Sequence, residues 1–334
     1  MVDHIAPKTP LPEDLPRRED VVALAPSGGR IYEYEVYRHL LPDAPDPSPV
    51  REARAILDDT GNQRYVNRLL VGTPTTGKIW MQWAAARYGA IVPTNWSMVS
   101  MVEYIHSYIP MRYELADAQN LIVKQAVEGD FEWLLLLEQD NLIPVDTFLR
   151  LNYYVRDGRV PVVSGLYYTK NVPTEPLVYR GRGTGAYTKF EVGDLVWCDG
   201  VPTGCLLIHC SILRAMWADA ESYDVPRPDG SKVRTRRVFI SPRDVWFDPE
   251  SAQFNTNVGT TDLRWCTDVI KGEYLAKAGW TAIQQQEYPF LVDTNWFIRH
   301  IDDQGRIYPD YAIQEIIAQR KAYEARKGSH AEPA

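Results

Sequence analysis

Glu138 and Asp140 stand two residues apart at the end of the apolar run WLLLL (133–137). Side chains at i and i+2 of a strand project from one face, so an extended WLLLLEQD would present both carboxylates to one site. Hard divalent cations take oxygen ligands, and Mg2+ or Mn2+ bridging a diphosphate needs few protein carboxylates. Glu138-Gln139-Asp140 is therefore the first candidate for holding an ion and a bound diphosphate. Asp140 is the preferred ligand and Glu138 the second. The competing reading makes Asp140 the cap of the helix that follows.

A second segment with chemical potential is Gly72-Thr73-Pro74-Thr75-Thr76-Gly77-Lys78, which follows an apolar run and fits the phosphate-cradling pattern G-x-x-x-x-G-K. A chain using it would be a nucleoside triphosphatase. Position 79 is Ile, where that pattern needs a hydroxyl for Mg2+, and Gly89 and Pro93 soon break the run after Lys78. The segment is expected beside a bound nucleotide rather than wrapped around its phosphates. Arg227, Lys232, Arg234, Arg236 and Arg237 crowd into RPDGSKVRTRRVFISPRD (227–244), read as a long polar loop. It would meet an anionic acceptor, nucleic-acid phosphates included, or be a solvated loop. His209, after an apolar run, reads as structural.

The elements that must position these groups follow from periodicity. LLVGTP (69–74), FEWLLLLEQD (131–140) and VPVVSGLYY (160–168) are apolar runs closed by turn or polar residues and read as buried strands. Between them, SMVSMVEYIHS (97–107) reads as a helix. LADAQNLIVKQAVE (115–128) sets Leu115, Ala118, Leu121, Ile122 and Ala126 on one helical face. A helix over 144–155, a strand within 199–209 and a helix over 211–220 follow. TDVIKGEYLAKAGW (267–280) is an amphipathic helix, TAIQQQEY (281–288) an edge strand, and 311–327 a charged helix. Alternating strand and helix predicts an α/β fold, a mostly parallel sheet with helices on both faces and a smaller antiparallel region. The chain divides into a proline-rich extension (1–62), with a short strand in 30–37 and a short helix in 50–59, a main domain (63–310) and a helical tail (311–334).

The net charge of −8 argues against a general polyanion binder. Four Cys without C-x-x-C pairs fit reduced thiols. The polar, proline-rich N-terminus lacks an apolar leader core, and no run reaches membrane-spanning length, so the expectation is a soluble cytoplasmic protein without a membrane span.

The ordered segments over roughly residues 66–310 resemble the nucleotide-sugar transferases of the GT-A fold, especially the inverting family 2 and its phage-borne relatives. LLVGTPTTG resembles the opening strand whose end contacts the nucleoside, which implies donor contacts at Thr73, Pro74 and Thr75. ADAQNLIVKQA resembles the family's donor-side helix, with Gln119 where Arg is usual, and implies contacts from Asp117 and Asn120. LLLLEQDN resembles the D-x-D metal motif, with Glu138 for the first Asp, Asp140 for the second and Gln139 facing the donor. VSGLYY and VPTGCLLIH resemble the strands flooring the sugar pocket, which brings in Gly204. CTDVIKGEYLAKAGW resembles the helix carrying the general base, with Thr267 in place of Glu and Asp268 retained; an ordinary N-cap role for Asp268 stays open. A His late in such domains completes the metal site, which points to His300. The resemblance implies glycosyl transfer from a nucleoside-diphosphate sugar, a UDP-sugar as first guess, with Mn2+ or Mg2+ and inversion through Asp268. The acceptor would be a glycan, a small molecule, a protein or a hydroxylated base in phage-type DNA. A P-loop-like hydrolase and a non-catalytic nucleotide-sugar-binding module remain as rivals.

Overall fold

The computed structural model describes residues 69–92, 105–171, 173–181, 185–227, 230–248, 253–258 and 260–309, with short strands at 22–24, 30–32, 55–57 and 63–65. Its centre is a seven-stranded sheet of β1 (Leu69–Gly72), β2 (Ile105–Tyr108), β3 (Trp133–Leu137), β4 (Val162–Leu166), β5 (Leu195–Cys198), β6 (Cys205–His209) and β7 (Phe290–Phe297). The spatial order is β5-β7-β4-β6-β3-β1-β2. β1 pairs parallel with both β2 and β3, and β7 pairs parallel with β4. β6 runs antiparallel to β3 and β4, and β5 antiparallel to β7. Five strands thus share one direction, and the expected α/β architecture is observed.

The WLLLL run forms β3 because both of its faces are covered, which lets a strand be apolar at every position. Leu134 and Leu136 join one core cluster, while Trp133, Leu135 and Leu137 join the other. Helices α2 (Leu115–Glu128), α4 (Cys210–Asp219) and α5 (Thr261–Lys271) cover the first face through Ile122, Leu213 and Trp265. Helices α1 (Met81–Tyr88) and α3 (Thr147–Asp157) cover the second through Trp83, Phe148 and Leu151. Two hairpins, Ser222–Pro226 with Lys232–Arg236 and Arg243–Asp248 with Gln253–Val258, form the antiparallel region. All four cysteines are buried free thiols. No helix among the described residues is long and apolar enough to cross a membrane.

Several expected elements are corrected. Residues 105–107 are an edge strand, not helix, because they complete the parallel ladder beside β1; the start of that expected helix lies outside the described residues. Residues 55–57 are strand instead of helix. TAIQQQEY contains a short helix, Thr281–Gln284, and the strand comes later as β7. The basic segment 227–244 is no loop: Lys232–Arg236 pairs with Ser222–Pro226, and Arg243 opens a further strand. The base-bearing helix starts at Thr261, six residues before its expected start. The tail 311–334 lies outside the described residues.

Candidate functional site

The carboxyl ends of β1, β3 and β4 and the start of the reversed β6 meet at one edge of the sheet, where ligands of open α/β sheets bind. A cleft of about 730 Å³ opens there, and its lining includes Thr76, Arg112, Glu114, Glu138, Thr203 and Asp262. Helix α2 starts at the cleft behind Glu114 and helix α5 behind Thr260. The positive ends of two helices therefore face the same space.

Glu138 follows directly on β3. Its N–H donates to the Gly204 carbonyl at 2.8 Å, and its own carbonyl accepts from the Trp83 indole at 2.9 Å. The carboxylate accepts from the Thr203 hydroxyl at 3.3 Å, and Thr203 in turn accepts from the Gln119 amide at 3.0 Å. Burial, with Asp140 and Asp262 nearby, pushes the Glu138 carboxyl up to about 8. Asp262 stands in the first turn of α5, and burial raises its carboxyl too. Two carboxyls that resist ionisation share one cleft, an environment that suits proton transfer.

The other expected residues fall into different places. Gln139 is held through its side-chain oxygen by the neighbouring loop. Its side-chain oxygen accepts from the Thr75 hydroxyl (2.5 Å), the Thr76 N–H (2.8 Å) and the Thr76 hydroxyl (3.2 Å), which ties the 73–78 loop to the end of β3. Thr73, Pro74 and Thr75 are buried, and Thr76 is the loop residue that reaches the cleft. Asn120 has no capacity left for a donor. Its side-chain oxygen accepts from the Val238 and Phe239 N–H groups (2.9 and 2.8 Å), and its amide donates to the Phe239 carbonyl and the Tyr223 hydroxyl. Asp117 accepts from the same Tyr223 hydroxyl at 2.7 Å. Both residues clamp the hairpin region to α2. Gly204 lies under the cleft as floor. A Cβ there would stand 2.4 Å from the Asn141 amide and 2.6 Å from the Tyr167 hydroxyl, so only glycine fits.

Asp268 is not brought to the cleft. Because α5 starts at Thr261, Asp268 lies about two turns in, engaged by both carboxylate oxygens with Arg264 Nε at 2.9 Å. Asp262 takes the position at the helix start that the sequence reading gave to Asp268. The signal was available: Thr261, Trp265, Cys266 and Val269 form one buried face, and that periodicity runs back past Thr267.

The expected metal ligands each have partners within the chain. β3 ends at Leu137 and residues 139–140 turn, closed by the Asn141 N–H on the Glu138 carbonyl at 3.2 Å. The strand alternation that would align Glu138 with Asp140 therefore stops before it reaches them. Asp140 Oδ2 is ion-paired with Lys170, and Oδ1 accepts from the Asn141 amide at 3.3 Å. His300 is brought near, since its strand pairs with Asn141 and its ring feels Asp140. Yet it is buried, stacked edge-on to Tyr167, with Nδ1 2.5 Å from the Tyr168 carbonyl. Among the described residues no three His, Cys, Asp or Glu groups converge on one ion position. Glu138, Asp140 and His300 thus lie within electrostatic reach of one another, and each is engaged by a partner within the chain.

The phosphate-cradle alternative fails on its hydrogen bonds. The Thr73 and Thr75 N–H groups donate to the Tyr108 and Pro110 carbonyls, Thr76 donates to Gln139, and Gly77 and Lys78 donate to threonine hydroxyls. Pro74 has none to give. A cradle needs those N–H groups unspent and a helix opening at the lysine, but α1 starts only at Met81. His209 is structural as expected: Nδ1 accepts from the Ser211 N–H to cap α4, and the ring packs edge-on against Trp133 and Trp280.

No protein-family model and no curated protein matches the sequence. Among solved structures the chain is similar to A197 from STIV, at 13% identity and a TM-score of 0.42 over 72% of this chain and 92% of that one. It is also similar to S. aureus TarS 1–349 in complex with UDP-GlcNAc, at 13% identity and a TM-score of 0.28, covering 47% of this chain and 48% of that one. A third similar structure is a glycosyltransferase involved in the glycosylation of the major capsid of PBCV-1, at 13% identity and a TM-score of 0.25, covering 45% of this chain and 66% of that one.

Proposed function

We propose that the chain is a glycosyltransferase of the GT-A type that moves a sugar from a nucleoside-diphosphate donor to an acceptor hydroxyl. The observation that carries this reading is Asp262, a half-buried carboxylate in the first turn of α5 that lines, together with Glu138, a cleft at the carboxyl ends of the sheet. A raised carboxyl pKa makes Asp262 a stronger base once ionised, which suits it to take the proton of an acceptor hydroxyl. The acceptor oxygen then bonds to the anomeric carbon as the bond to the diphosphate breaks, and the electron pair leaves on the diphosphate. The starts of α2 and α5 and the Arg112 guanidinium favour the negative charge that develops there. Attack opposite the leaving group gives inversion.

The test incubates the full chain with UDP-, GDP- and ADP-linked sugars and measures released nucleotide, alongside thermal shifts with the free nucleotides. Turnover of one donor, lost in Asp262→Asn while that nucleotide still stabilises the fold, is the expected result. Stabilisation without turnover at any enzyme concentration would favour a binding-only module. No stabilisation by any nucleotide would sink the proposal.

A further inference from the structure

Glu138 and Asp140 were expected to hold an ion, yet the group found against Asp140 is an ammonium. Lys170 lies four residues beyond β4, in the turn closed by the Thr169 N–H on the Glu175 carbonyl (2.9 Å) and the Glu175 N–H on the Thr169 hydroxyl (3.1 Å). That turn delivers its Nζ to Asp140 Oδ2, and its charge is also felt at Glu138 and His300. The Lys170 side chain remains about 35% exposed, so the ammonium is anchored without being enclosed. An ammonium carries three donors, and the ion pair engages one Asp140 oxygen. Asp140 is otherwise satisfied by the Asn141 amide, and His300 is buried against Tyr167 and the Tyr168 carbonyl. Each group that would have to bind an ion already has a protein partner, and the positive charge at this spot comes from the chain itself.

Resting on the transferase reading, we propose that Lys170 is the resident cation of the site: its ammonium, aimed by Asp140, binds the donor's diphosphate, and donor binding needs no divalent metal. Lys170 contacts the phosphates, and Asp140 is a positioning residue that acts through it. A lysine serves this role as a compact point charge on a flexible stem that can swing between its anchor and a phosphate oxygen.

The test uses the full chain and four probes, UDP, GDP, ADP and CDP, titrated by calorimetry in EDTA and again with Mn2+. The expected result is that a probe binds in EDTA and that Mn2+ changes its Kd by less than about threefold. Lys170→Met should weaken that probe at least about tenfold, with Lys170→Arg recovering most of the loss, while the melting temperatures of the ligand-free proteins stay close to wild type. Binding that appears only with Mn2+ would overturn this assignment and leave the transferase reading standing. Wild-type affinity in Lys170→Met would overturn it as well. Binding of no probe under either condition would overturn the transferase reading and this assignment with it. The EDTA and Mn2+ arms use the wild-type protein, so the outcome does not depend on a variant folding.

Discussion

Replacing Glu138 by Gln should stabilise the protein, and more so as the pH rises. The folded chain pushes this carboxyl from 4.5 up to about 8, mainly by burial and then by Asp140 and Asp262. A group whose pKa is raised on folding is protonated in the native state where the unfolded chain has already ionised. Stability is therefore fully present below pH 4.5 and is lost as the pH climbs through 8. That displacement corresponds to at most about 5 kcal/mol. Glu138 keeps some surface at the cleft, where water screens the penalty, so about 1–3 kcal/mol is the expected cost at pH 8. Gln has the same shape and keeps an oxygen for the Thr203 hydroxyl, but it cannot ionise. Melting curves of wild type and Glu138→Gln at half-unit steps from pH 5 to 8.5 read the effect directly. The variant's advantage should be near zero at the acid end and reach about 2–6 °C at the alkaline end. A difference that stays flat with pH, or a variant less stable at pH 8, would refute the claim that Glu138 is held in its neutral form.

Asp262→Asn should lower sugar transfer by about 10²–10⁴-fold with little change in nucleotide affinity, whereas Asp268→Asn should leave turnover within about threefold of wild type; released nucleotide reads both. Asn120→Ala strips partners from the Val238 and Phe239 N–H groups and the Phe239 carbonyl at once, so denaturant melts should report a loss of about 3 kcal/mol or more, and a loss under 1 would show that the clamp is dispensable. Burial holds the His209 imidazole down at about 3, so its contribution to stability is present above pH 6.5 and declines as the pH falls toward 3. Over pH 6.5 to 5 this removes up to about 2 kcal/mol, which His209→Asn should spare while keeping a side chain that can cap α4. Comparing variant with wild type at each pH cancels the opposite slope from Glu138, and parallel profiles would count against it.

The sequence by itself determined the inner apolar strands of the sheet. Apolar runs such as Leu69–Gly72, Trp133–Leu137 and Val162–Leu166 can be satisfied only between two covered faces, and the 3.6-residue period of Leu115–Glu128 leaves one way to lay that helix down. It also pointed to the candidate site, because strands that end together deliver their last residues to one edge. What each polar residue does there was decided by tertiary contacts between segments far apart in the chain. Gln139 and Asn120 are locally indistinguishable from ligand-binding amides, but the oxygen of the first is taken by a loop 63 residues upstream and the amide of the second by a segment 118 residues downstream. Where α5 begins puts Asp262 rather than Asp268 at the cleft, and its buried face against the sheet fixed that start. Lys170 carried no sequence signal, since its role depends on a turn after one strand reaching the carboxylate after another. Hydrophobic period is a local property that survives without the fold, whereas the partner of a hydrogen bond or a charge exists only once distant segments have met.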